Sequence, residues 1–138
     1  MARKTPWSGL LTAALLAFAT LGTFASLQYA GPEGAVREFI LGVGRRDRTA
    51  VESHLVQAVD APTSQFLIER TGMLLASNYR YVAGRRTTMQ GNNTLLEGAF
   101  ISPLGQPAPL VWVVRREGRR WRVDADATLQ IVSGRPIR

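Results

Sequence analysis

The sequence predicts an α+β protein: an N-terminal transmembrane helix, then three helices packed on a curved four-stranded antiparallel sheet. Three observations lead to this prediction. An apolar stretch of about twenty residues near the start carries no charge, three later segments repeat apolar residues with helical spacing, and the segments after residue 77 are rich in strand-forming residues. The 138 residues suffice for one ordinary domain and a short appendage. We therefore divide the chain into an N-terminal segment, residues 1–30, and a domain, residues 31–138.

The N-terminal segment from Leu10 to Tyr29 fits a membrane anchor. No charged residue lies between Lys4 and Glu33, and twenty helical residues span about 30 Å, the thickness of a bilayer's hydrocarbon core. A cleaved signal peptide is the alternative, because small residues precede a cleavage point at Ser26. We expect the lipid bilayer to be a partner through Leu10 to Tyr29.

The charges around this segment set the expected orientation. Arg3 and Lys4 favour a cytoplasmic N-terminus, and long domains translocate with little regard to their own charge. We expect a single-pass membrane protein with a cytoplasmic N-terminus and an extracytoplasmic domain. If the segment is cleaved, the domain is periplasmic or secreted instead. The absence of cysteine is compatible with either location.

Three helices are predicted in the first half of the domain. The first opens at Pro32 and carries one apolar stripe with residues three or four apart. That stripe consists of Val36, Phe39, Ile40 and Val43. Asp47 is the expected N-cap of a second, short helix, and Pro62-Thr63-Ser64 is expected to start the third.

Four strands are predicted after Ser77. Residues 79–89 and 94–102 are rich in β-branched and aromatic residues and flank Gly91-Asn92-Asn93, which indicates a hairpin. Its register is ambiguous from the sequence. The last two strands, Leu110 to Arg116 and Arg119 to Asp126, flank Glu117-Gly118, a predicted two-residue turn.

The closing turn predicts which residues face each other. The pairs on one side are Leu110–Ala125, Trp112–Val123 and Val114–Trp121. The pairs on the other side are Val111–Asp124, Val113–Arg122 and Arg115–Arg120. The first face is apolar and is expected to pack on the helices, whereas the second is largely charged and is expected to face solvent. The tail with Leu129, Ile131 and Val132 extends the last strand in this interpretation.

Two runs of sequence together resemble a known family. The run from Pro32 to Ile40, followed by Gly44 and Asp47, is similar to the opening helices of nuclear-transport-factor-2-like domains, and Val111 to Asp124 looks like their closing hairpin. The resemblance covers nearly all of residues 32–126. It implies the cystatin-like cone fold, in which a curved sheet wraps over helices, often with a pocket between them. The family includes isomerases, dehydratases, ligand-binding modules and membrane-anchored assembly factors, and this chain resembles the small membrane-anchored or exported bacterial type.

Composition excludes several kinds of site. The chain has no cysteine, and His54 is its one histidine, so thiolate chemistry and centres with two imidazoles are excluded. We predict no catalytic set, no metal site and no cofactor. Ser53 adjoins His54, but neighbouring helical side chains diverge by about 100°, so we do not expect them to pair. Asp124 and Asp126 are expected to face solvent.

Five residues are weak candidates for lining a pocket inside the cone: Tyr79, Tyr81, Glu97, Trp112 and Trp121. The register of the strands that hold Tyr79, Tyr81 and Glu97 is open, so their polar groups keep an enzymatic interpretation available. The two tryptophans lie on the apolar face, where core packing is the alternative to stacking on a ligand.

The chain is basic, with a net charge of +7 from 17 basic and 10 acidic residues. An arginine surface attracts anionic lipid headgroups or nucleic acid. No nucleic-acid-binding motif is present, and nucleic acid is a poor match for an extracytoplasmic domain, so we predict no such partner. A solvated basic face and contact with a membrane surface are both compatible with this charge.

The predicted function is that of a membrane-tethered, extracytoplasmic and non-enzymatic module for binding or assembly. Its expected partner is a protein or a small apolar ligand, and the oligomeric state stays open. The alternative is a small-molecule-binding protein, or an isomerase-like or dehydratase-like enzyme, that uses the cone pocket; a secreted form after cleavage is compatible with either.

Overall fold

The structure is a computed structural model that describes the backbone of residues 7–29, 31–88 and 91–134 and the side chains of residues 9–23, 31–87 and 91–134. Its elements in chain order are α1 (Trp7–Tyr29), α2 (Pro32–Arg45), α3 (Arg48–Ser53), α4 (Ala61–Ala76), β1 (Arg80–Thr88), β2 (Asn93–Ile101), β3 (Pro107–Glu117), β4 (Arg120–Val123) and α5 (Ala125–Val132). The strands form one antiparallel sheet in the order β1-β2-β3-β4. The predicted α+β class and four-stranded antiparallel sheet are confirmed.

The prediction of an N-terminal transmembrane helix is wrong. Helix α1 forms over the apolar segment, but no helix in the described part of the chain is both long and apolar enough to cross a membrane. Arg3 and Lys4 lie outside the described residues. The expected bilayer contact and location stay predictions.

The three predicted helices of the domain are confirmed as α2, α3 and α4. Helix α2 starts at Pro32 and buries its predicted apolar stripe. Asp47 caps α3 by accepting a hydrogen bond from the Ala50 N–H at 3.1 Å. Asp60 does the same for α4 through the Thr63 N–H, also at 3.1 Å, so this helix begins before the predicted proline. Each cap satisfies a backbone donor that a helix start leaves unpaired.

The predicted turn of the closing hairpin is placed one residue too early in the chain. Val114 pairs with Val123 and Glu117 with Arg120, so the two loop residues are Gly118 and Arg119 rather than Glu117 and Gly118. Gly118 has φ +61°, and turns with glycine at the first loop position match the twist of the flanking strands. Pairing shifts by two residues, so each residue keeps its predicted side of the sheet, and Trp112, Val114 and Val123 are buried on the apolar side. The expectation that the second side faces solvent is wrong at Val113, which is fully buried there.

The chain after β4 is a helix, not the predicted strand extension. Asp124 accepts a hydrogen bond from the Ala127 N–H at 3.0 Å and starts α5, which ends the ladder at Val123. The predicted pairs Leu110–Ala125 and Val111–Asp124 do not form, because Leu110 and Val111 pair only with β2.

The expectation that Asp124 faces solvent is also wrong. Its residue is only 2% exposed, and its carboxylate lies 2.6 Å from the Arg115 guanidinium. Thr128 of α5 accepts a hydrogen bond from the Val113 N–H at 3.0 Å, which replaces a missing strand partner of β3. Asp126, two residues further along the chain, is exposed as expected. Asp124 thus joins β3, β4 and α5.

We predict that Asp124→Ala lowers the free energy of unfolding by about 2–3 kcal/mol, because it removes an N-cap and leaves Arg115 without its buried partner. Asp60→Ala, which removes an exposed cap alone, should cost clearly less. Urea denaturation with an unchanged m-value measures both. Equal losses in the two variants would contradict the role assigned to Asp124.

Candidate functional site

An aromatic cluster fills the space between α2 and the sheet. Trp112 of β3 is fully buried, and the ring of Phe39 from α2 meets it edge-on at a centroid distance of 5.7 Å. Tyr81 of β1 meets Trp112 edge-on at 6.2 Å and Phe100 of β2 at 5.4 Å. Edge-to-face contacts of this kind add to the stabilisation that burial provides. Protein side chains therefore occupy the position where a cone pocket was expected.

Gly98 makes the position of Tyr81 possible. A Cβ atom at Gly98 would lie 2.4 Å from the Tyr81 hydroxyl and 2.8 Å from its ring carbon Cζ. The tyrosine ring thus crosses β2 directly above the glycine backbone to reach Trp112. A side chain at position 98 would have to displace that ring, since real contacts are never this short.

The polar groups of this cluster are largely withdrawn from solvent. Burial raises the pKa of the Tyr81 phenol to about 12, and the nearby Trp112 N–H partly opposes this rise. The Trp112 N–H does not meet the geometry of a hydrogen bond, so Trp112 Nε1 is buried without a partner among the described residues. Tyr81 stays protonated at neutral pH and can donate a proton in a hydrogen bond, but it is not a base there.

Tyr81 and Glu97 line a smaller groove of about 650 Å³ between the start of α2 and the strands β1 and β2. Gly98 shares the face of Tyr81, so the preceding Glu97 side chain leaves β2 on the opposite face. Arg86 and Glu33 form an exposed ion pair at 3.7 Å along this groove. The phenol and the Glu97 carboxylate are therefore not placed to act as an acid–base pair.

The other pocket candidates line neither this groove nor the larger one described next. Trp112 is a core residue. Tyr79 is half-buried and packs against the core where α4 leads into β1. Trp121 is half-buried, and the Arg116 guanidinium lies 6.0 Å from the centre of its ring. Its partial exposure makes Trp121 a weaker core residue than the predicted pairing with Val114 implied.

A larger groove of about 1030 Å³ lies between α2, α3 and α4, and no sequence pattern predicts it. Its floor is apolar and is formed by Val43, Val51, Leu55, Val56, Val59, Ile68 and Leu75. The signal for it in the sequence is weak: Gly42, Gly44 and Gly72 keep the facing helices free of side chains at three positions. We call this feature the helical groove.

The rim of the helical groove is polar. Arg48 forms an ion pair with Glu52 at 2.6 Å, and Gln65 donates a hydrogen bond to Glu69 at 2.9 Å. Arg46 lies on the rim where α2 turns into α3. An apolar floor with a few polar groups at its edge is typical of small-molecule sites.

Ser53 and His54 contact each other, contrary to the expected divergence. His54 is the C-cap of α3 with φ −104° and ψ 4°, so its side chain leaves the helical arrangement. His54 Nδ1 lies 3.0 Å from Ser53 Oγ and 2.8 Å from the Ala50 carbonyl oxygen. A carbonyl oxygen only accepts, so Nδ1 donates its proton there and is not a base toward Ser53. Both side chains close the end of α3.

Metal ligands do not gather in the part of the chain that the structure describes: no three His, Cys, Asp or Glu side chains there could hold an ion together. The predicted absence of a metal and of a cofactor stays a prediction.

Comparison with known proteins gives a likeness of fold. No family model and no curated protein matches the chain. A solved structure from Campylobacter jejuni, provisionally named an NTF2-like transpeptidase, matches with a TM-score of 0.48 and 13% identity. The match covers 69% of this chain and 98% of that one. At this TM-score and identity the likeness establishes neither a family nor an activity for this chain.

We predict that Gly98→Ala lowers the free energy of unfolding by about 1–3 kcal/mol, because the new methyl group displaces the Tyr81 ring. In a Tyr81→Ala background the same change should be neutral or slightly stabilising. A double-mutant cycle by chemical denaturation measures this coupling. Additive effects of the two changes would contradict the close approach.

The raised pKa of the Tyr81 phenol also predicts that the stability of the protein depends on pH. An acid whose pKa is raised in the folded state binds its proton more tightly than the unfolded chain does, so stability is intact below pH 10 and falls between about pH 10 and 12. Tyr81→Phe should lose less stability over this interval than the unaltered protein. Denaturation series at pH 9 to 12 measure the two slopes, and identical slopes would contradict the assignment.

Proposed function

We propose that this protein is a binding module that holds a small apolar ligand in the helical groove. The observation that supports this most directly is the groove itself, a space of about 1030 Å³ with an apolar floor. Sites for small molecules have volumes of roughly 300–1,000 Å³, so this space is sufficient for a ligand of that size.

The floor of the groove is buried in the core on one side and partly exposed on the other. Val43, Val51 and Val56 are buried against the core, whereas Val59, Ile68 and Leu75 are only half-buried. The half-buried side chains retain apolar surface that a ligand can cover, and covering apolar surface yields roughly 25 cal/mol per Å². This supports binding through apolar contact.

The enzymatic alternative has less support from geometry. Its candidate groups, the Tyr81 phenol and the Glu97 carboxylate, leave the sheet on opposite faces, and the aromatic cluster takes up the space between α2 and the sheet. The prediction of a protein partner and the prediction that the chain is not an enzyme both stay open to test.

Binding of the neutral fluorescent probe N-phenyl-1-naphthylamine tests the proposal. Gly72 lies on α4 opposite Val43, and a Cβ there would meet Val43 Cγ1 at 3.6 Å, an ordinary contact. We expect Gly72→Leu to fill the groove and to weaken probe binding at least about tenfold, which corresponds to about 1.4 kcal/mol. Ile68→Gln, which makes the floor polar at nearly constant size, should also weaken it.

Gly72→Ala is the matched control. It adds one methyl group without a clash and should stabilise α4 by about 0.5–1 kcal/mol while leaving probe binding nearly unchanged. Circular dichroism and thermal melting establish that all three variants fold. Probe binding that Gly72→Leu and Ile68→Gln leave unaltered would contradict the helical groove as the site.

A further inference from the structure

The hairpin of β3 and β4 carries a concentration of positive charge that the function proposed above does not use. We propose that this hairpin binds the surface of an anionic lipid bilayer, with its guanidinium groups on the phosphates and carboxylates of the lipid heads. The hairpin lies outside the helical groove, and the inference does not depend on that groove being a binding site.

The hairpin keeps a surplus of positive charge after its ion pairs have formed. Residues 115–124 contain five arginines and two acidic residues, so three positive charges remain. Asp124 neutralises Arg115 at 2.6 Å, and Glu117 neutralises Arg122 at 3.4 Å. Three exposed arginines of the hairpin have no ion pair among the described residues: Arg116, Arg119 and Arg120.

The three unpaired arginines lie at a projecting end of the sheet. The ladder between β2 and β3 ends at Arg115, and beyond that residue β3 and β4 continue as a two-stranded ribbon closed by Gly118 and Arg119. None of the three arginines lines the helical groove or the smaller groove beside Tyr81. A projecting tip does not enclose a small anion, whereas it can lie against the flat surface of a bilayer.

The contact between Arg116 and Trp121 favours a lipid surface over nucleic acid. Arg116 Nε donates a hydrogen bond to the Gly118 carbonyl oxygen at 3.2 Å, and its guanidinium lies over the Trp121 ring, 6.0 Å from the centroid. That face of the ring is not free to stack on a base, which is the contact that aromatic side chains make with single-stranded nucleic acid. Tryptophan beside cations is typical of the headgroup level of membranes, because its ring is amphipathic.

The number of unpaired arginines sets the expected strength of binding. Each arginine near an anionic leaflet raises the affinity roughly fivefold, so three together raise it about 100-fold. Salt screens this attraction beyond about 10 Å at 0.1 M ionic strength. Arginines on other parts of the domain therefore contribute little when the hairpin faces the lipid.

Partition of the full chain onto lipid vesicles tests the inference. Vesicles of phosphatidylcholine mixed with phosphatidylserine present an anionic surface. Vesicles of phosphatidylcholine alone measure contacts that do not depend on charge, including any made by the apolar helix α1. We expect a preference for the anionic vesicles that disappears at about 0.5 M salt. Changing all three unpaired arginines to glutamine, as Arg116→Gln, Arg119→Gln and Arg120→Gln in one variant, should reduce this preference about 100-fold.

The matched control removes three exposed arginines from other parts of the domain. Arg45→Gln, Arg70→Gln and Arg80→Gln lower the net charge equally, and these residues belong to α2, α4 and the opposite end of the sheet. This variant should keep the preference for anionic vesicles within about threefold, because its changes lie away from the lipid. Circular dichroism and thermal melting establish that both variants fold.

The outcomes distinguish this inference from its alternatives. Equal partition onto the two kinds of vesicle, or equal losses in the two triple variants, would overturn it. Binding to a short DNA duplex that the hairpin variant alone loses, without a preference for anionic vesicles, would also overturn it and assign the hairpin to nucleic acid. Binding of N-phenyl-1-naphthylamine to the helical groove is measured separately, so the failure of one proposal leaves the other in place.

Discussion

The packing of Tyr81 across Gly98 onto Trp112 is the constraint on which the rest of the domain depends. These residues belong to three adjacent strands, and Phe39 joins the same cluster from α2. The cluster fixes the distance between α2 and the sheet, because neither ring can move without opening a void or meeting the backbone of β2. Large buried aromatic rings contribute more to stability than any other apolar side chains here.

This packing also determines where a ligand can be held. A curved sheet over a helix encloses a space that a cone-shaped domain can leave open, but here four aromatic side chains fill it. Helices α3 and α4 join the same hydrophobic core through Val51 and Leu67, and they leave an apolar groove against the end of α2. The aromatic core therefore has a structural role, whereas the helical side of the domain offers the surface for binding.

The sequence predicted those features that arise from local pattern. The apolar stripe on α2 follows from the helical period of 3.6 residues. The buried side of β3 and β4 that packs on α2 follows from the strand period of two, so an error of two residues in register leaves it unchanged. The turn position could not be predicted from Glu117-Gly118, since glycine suits either loop position. The sequence pattern does not predict helix α5, because Asp124 continues the alternation of a strand, although an aspartate before Ala-Asp-Ala is also an N-cap signal. The helical groove depends on how three helices pack together, and no local sequence pattern predicts that packing.

Mapping of the bound probe by two-dimensional NMR of methyl groups tests the central claim most directly. With N-phenyl-1-naphthylamine added to the full chain, we predict that the largest shifts occur at Val43, Val59, Ile68 and Leu75, on the floor of the helical groove. Val113 and Val114 in the core should shift little. Shifts confined to Leu96 beside Tyr81, or to the exposed leucines of α1, would contradict the account.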